Sequence, residues 1–211
     1  GIKSVTSCIN NASIIAKSTG SMSKVYSSGI VAEGICVKIT LCANNGNITV
    51  DAKCGAYAAG ICAYYGQAAL KKSYNSAKVT ASNGTFEVGA IAGGLVASIV
   101  NNATIEDSYN TGDVSADGAD KSTAGGICAE SMLFNKYYRC YNVGAVTLIR
   151  GGNAGSLIAT ANTNDEYSSN YVIDSETPII AKNSKTGAAT VRTPDQMKSA
   201  DNFEGFDFDT V

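Results

Sequence analysis

Any chemistry this chain performs must be assembled without histidine, because none occurs in its 211 residues. Ser-His-Asp and Cys-His nucleophile arrangements are therefore excluded, as is the two-histidine zinc helix of metalloproteases. Carboxylates, thiols and glycine-rich turns remain. Glu33, Asp51, Glu87, Glu106, Asp107 and Asp113 are of the type that cleaves glycosidic bonds, a reaction that needs two carboxyl groups flanking one bond. Only Glu106 and Asp107 are neighbours. Adjacent side chains on a strand point to opposite faces, so the expectation is that this pair cannot share a site. Asp117-Gly-Ala-Asp120 lacks the dense acidic alternation of a calcium loop and reads as a solvated turn. Gly89, Gly93 and Gly94 lie in the most apolar stretch, residues 88–100, but the Lys-Ser/Thr and following helix of a phosphate loop are missing. The seven cysteines include no Cys-x-x-Cys pair, so neither a zinc site nor any other metal or cofactor is expected.

Tyrosines are the remaining groups with recognition chemistry. Tyr57, Tyr64, Tyr65, Tyr137 and Tyr138 fall in motif-flanking or connecting segments. They are candidates for a ligand-facing, carbohydrate-stacking surface, against the alternative that they cap coil edges with hydroxyls in water. Lys and Arg total 16 against 18 Asp and Glu, a net charge of −2, and no basic run exceeds two residues. A concentrated basic face is absent, which excludes nucleic acid as a partner. No apolar stretch reaches the ~18 residues of a transmembrane helix.

What must position these groups is a repeat. Five segments align on an asparagine: Cys8-Ile-Asn-Asn-Ala-Ser-Ile14, Cys42-Ala-Asn-Asn-Gly-Asn-Ile48, Ser73-Tyr-Asn-Ser-Ala-Lys-Val79, Ser108-Tyr-Asn-Thr-Gly-Asp-Val114 and Cys140-Tyr-Asn-Val-Gly-Ala-Val146. Asn10, Asn44, Asn75, Asn110 and Asn142 are thus separated by 34, 31, 35 and 32 residues. A second motif keeps step: Gly29-Ile-Val-Ala, Gly60-Ile-Cys-Ala, Gly94-Leu-Val-Ala, Gly126-Ile-Cys-Ala and, with Ser for Gly, Ser156-Leu-Ile-Ala. A period near 32 marks an array whose units cannot bury their own apolar faces. Dense Gly and Asn with short apolar runs disfavours helices and suits strands broken by turns. The expected fold is all-β, a parallel, right-handed β-helix of about five coils of about 32 residues. Equivalent asparagines would then lie about 4.8 Å apart and pass amide hydrogen bonds from coil to coil. Gly29, Gly60, Gly94 and Gly126, with Gly46, Gly112 and Gly144, are expected at tight turns or close backbone approaches. Ala12 and Ala77 share the latter column, so smallness is the common demand.

The Cys columns admit Ser at 73 and 108 and Val or Ile at 31, 96 and 158, so the thiols read as small, mostly free fillers, although Cys8 and Cys42 stack closely enough to bridge. The Gly-Ile/Leu-x-Ala and Cys/Ser-Tyr-Asn-x-Gly-x-Val alternation over residues 1–175 resembles the GLUG repeats of bacterial cell-surface and secreted proteins, including those beside immunoglobulin A1 metalloproteases. The tail Asn202-Phe-Glu-Gly-Phe-Asp-Phe-Asp-Thr-Val211 is similar to the segment that closes such arrays. The resemblance implies a secreted or surface-anchored β-helical stalk, here without the protease domain. No leader is visible and the chain opens inside a repeat, so a trimmed, longer exported parent is expected. Residues 1–173 are assigned to the solenoid and 174–211 to a cap, in which Thr193-Pro-Asp-Gln196 predicts a short helix to about Ala200. The expected function is a non-catalytic stalk or adhesin-like scaffold, monomeric or part of a longer surface chain, binding protein or glycan through its variable connections. The alternative is a carbohydrate-active β-helix enzyme.

Overall fold

In a computed structural model that describes residues 3–20, 23–83, 88–118 and 120–208, every strand pairing is parallel. The chain winds through four sheets in turn, adding strands to each as it climbs. The first sheet, of eleven strands, carries the asparagines and includes Val37–Thr40, Ala43–Asn44, Tyr74–Asn75, Thr104–Asn110 and Lys136–Asn142. The second holds Ile14–Ser18, Ile48–Ala52, Val79–Asn83, Val114–Asp117 and Val146–Leu148. The third runs Lys24–Ser28, Gly55–Ala59, Ala90–Gly93, Ser122–Gly125 and Gly152–Gly155. A short turn then leads to the fourth: Val31–Ile35, Cys62–Gly66, Val96–Val100, Cys128–Met132, Ile158–Thr160 and Ile180–Lys182. Pairing of Ile14 with Ile48, Ile48 with Val79, Val79 with Val114 and Val114 with Val146 reproduces the register read from the repeat. The fold is a parallel β-solenoid of about five coils.

Asparagines form the spine. Asn10 Nδ2 donates to Asn44 Oδ1 at 2.7 Å, Asn44 to Asn75 at 2.6 Å, Asn75 to Asn110 at 2.7 Å and Asn110 to Asn142 at 2.8 Å. Each of these Nδ2 groups, and that of Asn142, also donates to the carbonyl two residues on, so buried amides are satisfied without water. This ladder meets the opposite wall. A Cβ at Gly60 would stand 2.5 Å from Asn75 Cγ, one at Gly94 2.5 Å from Asn110 Cγ, and one at Gly126 2.5 Å from Asn142 Cγ, with Gly29 equally close to Asn44. Gly46, Gly112 and Gly144 each press on a carbonyl of the preceding coil, where a Cβ would fall 2.0 Å from oxygen. None of these seven has a positive φ. They are small because backbone passes there, as the Ala in the same column implied. Asn142 pairs with Val172, so the ladder ends as the Gly motif gives way to Ser156.

Contact between the ladder and the glycine turns pinches the coil into two lobes. One lobe packs Ile39, Leu70, Ile105 and Tyr137 of the first sheet on Cys62, Tyr65, Ile99 and Cys128 of the fourth. The other packs Ile48, Val50, Val79 and Val114 of the second sheet on Ala56, Ala58, Ala90, Ala92 and Ala124 of the third. All seven cysteines are free thiols. Burial pushes Cys62 and Cys140 up to about 12, so these thiols are inert fillers. The serine column does more than fill: Ser73 and Ser108 hydroxyls accept the backbone N–H of Cys42 and Ser73 at 3.1 and 3.2 Å.

Parallel pairing runs on past residue 173, with Ile180–Lys182 on Ile158–Thr160 and Thr190–Arg192 on Tyr171–Ile173. At the predicted helix start, Gln196 N–H donates to Thr193 Oγ1 at 3.3 Å and Thr193 N–H to Gln196 Oε1 at 2.9 Å, a reciprocal cap. Only two 3-10 turns follow, Gln196–Lys198 and Ala200–Asn202, before the tail folds back on the first sheet. No helix of the described residues is long and apolar enough to cross a membrane.

Candidate ligand-binding cleft

On the outer face of the first sheet Tyr74, Tyr109 and Tyr141 stack with centroids 5.0 and 4.8 Å apart and planes within 4°. Phe203 and Phe206 close the upper end against Tyr141 and Tyr171. Beside this row the column Ser7, Leu41, Lys72, Asp107, Arg139 and Ser169 adopts positive φ throughout. That left-handed kink interrupts the pleat and overturns the expectation that Glu106 and Asp107 face apart. Arg139 Nε lies 2.5 Å from Asp107 Oδ1 while its Nη2 also reaches Glu106 Oε1, and Lys71 Nζ lies 2.5 Å from Glu106 Oε2. Desolvation of Glu106 opposes its ionisation, but hydrogen bonds from Lys71 and Arg139 outweigh it and hold the carboxyl below the usual range. Lys71 and Arg139 thus tie the two carboxylates across neighbouring coils as a strut.

The five candidate tyrosines separate. Tyr65 and Tyr137 are fully buried in the first lobe, Tyr65 donating to Val37 O at 3.0 Å and Tyr137 stacked on Tyr167 at 5.5 Å. They are core residues and cannot face a ligand. Tyr138 stands on the first sheet and donates to Glu166 Oε2 at 2.5 Å. Its hydroxyl rises to about 12, through desolvation and then the Glu166 contact.

Tyr57 and Tyr64 come together elsewhere, with Tyr26. The third and fourth sheets bend inward to the glycine turns of the pinch, so their outer faces converge. Tyr57, Ala59 and Ile91 of the third meet Ala63, Ala97 and Ala129 of the fourth in a separate apolar cluster. Register places Tyr26, Tyr57, Ile91, Thr123 and Asn153 along one wall. Glu33, Tyr64, Ser98, Glu130 and Thr160 line the other. These positions are three residues before and four after the motif Gly, or Ser156, and that spacing was the sequence signal for Tyr26. Tyr26 packs on Tyr57 at 4.6 Å and edge-on to Tyr64 at 5.8 Å, bridging the walls. Lys24 Nζ lies 5.6 Å from the Tyr57 ring centroid. Ser98 is 0% and Thr123 3% exposed, and neither hydroxyl finds a partner among the described residues, a deficit of about 1–3 kcal/mol each. Burial raises the pKa of Glu130, with Lys24 the opposing influence.

This architecture has a solved precedent. A crystal structure described as "a putative immunoglobulin A1 protease from Bacteroides ovatus" matches with a TM-score of 0.50 at 15% identity, over 88% of this chain and 67% of that one. Likeness at that identity establishes the solenoid fold alone. No family model matches the chain, and no curated protein does.

Chemically the cleft offers aromatic faces, hydroxyls and carboxylates. Glu33 and Glu130 are three strands apart, or about 14 Å at the strand spacing. That exceeds the ~5–9.5 Å over which paired carboxyls cleave a glycoside. Asp51 and Asp113 belong to the second sheet's side of the coil, and Glu87 lies outside the described residues. No group of three or more Cys, Asp or Glu among the described residues could hold a metal ion.

Proposed function

We propose that the chain is a non-catalytic, exported repeat module, adhesin-like in that it presents a binding cleft on a rigid solenoid. The carrying observation is the disposition of the carboxylates: one pair is clamped by Arg139 and Lys71, and the cleft pair is too widely spaced for two-carboxyl hydrolysis. A coil-to-coil ladder of satisfied amides supports the scaffold role, since each layer is held by its neighbours. Export is supported by the GLUG-like repeat. The test is a reducing-end release assay on a panel of polysaccharides, beside a Glu33→Gln/Glu130→Gln double variant. No turnover is expected from either protein. Product release by the parent that the double variant lacks would replace this reading with the β-helix hydrolase. Accessibility of the protein to antibody on intact cells of its source, or its recovery from the medium, tests the location.

A further inference from the structure

We infer that the cleft between the third and fourth sheets binds a neutral oligosaccharide laid along the solenoid axis, with pyranose faces on Tyr64 and Tyr26 and hydroxyls directed to Glu130. The inference deepens the non-catalytic reading and rests on it.

Two features of the cleft are left unexplained by folding. Tyr26 and Tyr64 keep part of their rings open to solvent while being locked by contact with each other, which gives a preformed apolar platform that loses little entropy on binding. Ser98 and Thr123, on the cleft-facing columns, are buried with Ala63, Ala97 and Ala129 and shape the floor without touching a ligand. Glu130 is half-buried and has no ion-pair partner within 4.0 Å among the described residues, so its carboxylate is an acceptor awaiting donors.

Charge chooses the class of sugar. Two carboxylates, Glu33 and Glu130, face the cleft against one ammonium, Lys24, which already lies over Tyr57. A uronic acid or phosphorylated chain would meet net repulsion, whereas neutral hydroxyls meet acceptors. Length chooses a chain over a single sugar: Tyr64 and Glu130 stand two strand steps apart, about 10 Å along the axis, a span of about two pyranose units.

Isothermal titration with hexasaccharides of β-1,4-glucose, xylose, mannose and N-acetylglucosamine, and with oligogalacturonate, tests the proposal. At least one neutral chain should bind and oligogalacturonate should bind at least ten-fold more weakly. Tyr64→Ala should weaken binding ten-fold or more, Tyr64→Phe should retain most of it, and Glu130→Gln should cost several-fold. Tyr138→Ala, on the first sheet, should change nothing. Thermal midpoints of the variants separate lost binding from lost folding, and Tyr64→Phe serves where Tyr64→Ala fails to fold. The proposal is overturned if no neutral hexasaccharide binds at millimolar concentration, if Tyr64→Ala in a folded protein binds as the parent does, or if the acidic chain binds best. Such failures leave the non-catalytic reading intact. Turnover in the release assay removes that reading whether or not these variants bind.

Discussion

Replacing Asn110 by alanine tests the ladder where it is most enclosed. Asn110 is fully buried; its Nδ2 donates to Gly112 O at 2.7 Å and Asn142 Oδ1 at 2.8 Å, and its Oδ1 accepts from Asn75 Nδ2 at 2.7 Å. Truncation strips three partners at once. Asn75 Nδ2 keeps Ala77 O and Asn142 Oδ1 keeps the Gly144 N–H, so two of the three groups are only half abandoned. At about 1–3 kcal/mol for each stranded buried group, the loss comes to about 3–5 kcal/mol. For a chain of this size that is roughly a 10 °C fall in Tm. Asn10→Ala is the internal comparison, since Asn10 is half-exposed at the open end and its loss deprives Asn44 of one donor, at a cost of about 1 kcal/mol. Asn110→Asp adds a pH signature. Its ionised oxygen would confront Gly112 O and Asn142 Oδ1, so the folded carboxyl pKa lies above the unfolded value of about 3.9. Stability from its protonated form is complete below the unfolded pKa and is lost as pH rises through the folded one. The Asp variant should therefore approach the parent near pH 4 and fall away toward pH 7. Urea melts followed by far-UV circular dichroism measure all three. An Asn110→Ala loss no greater than that of Asn10→Ala would refute the ladder's energetic role.

Gly126→Ala should be more damaging than any ladder variant of a terminal coil, at about 3 kcal/mol or more, because its Cβ would stand 2.1 Å from Ser156 O and 2.4 Å from Asn142 Nδ2. Ser156→Ala, which loses only a 3.3 Å bond to Pro178 O, should cost under about 1 kcal/mol; thermal denaturation compares them. Glu106 titrates below the usual carboxylate range, so its contribution is present above the unfolded pKa of about 4.3 and is lost as pH falls through the folded value. Arg139→Ala should lower stability at pH 7, with the gap to the parent narrowing in acid melts. Iodoacetamide followed by mass spectrometry should modify Cys8 and Cys36 first and leave Cys42, Cys62, Cys128 and Cys140 protected until the protein unfolds. Equal rates at Cys62 and Cys8 would contradict the packing of the first lobe.

The repeat made the spine legible before any coordinates. A parallel solenoid gives every copy of a position the same surroundings, so Asn at one offset and a small residue at another recur because each coil must satisfy the same amide and admit the same passing backbone. The ladder, the register, the free thiols as fillers and the need for glycine could therefore be read as columns. Facing was another matter. Tyr65 and Tyr137 turn inward, and Glu106 and Asp107 share one arginine because the left-handed Asp107 breaks the two-residue alternation there; nothing about Leu41, Lys72 or Arg139 as residue types signals positive φ. The cleft required the whole cross-section. Its walls come from two sheets that meet only because the asparagine ladder touches the opposite glycine turn, drawing in the outer faces that carry Tyr26 and Tyr64. Recurrence along the chain determines what stacks on what, since stacking is a nearest-neighbour property. Which faces converge depends on how the coil closes around its core, and that closure is decided in three dimensions.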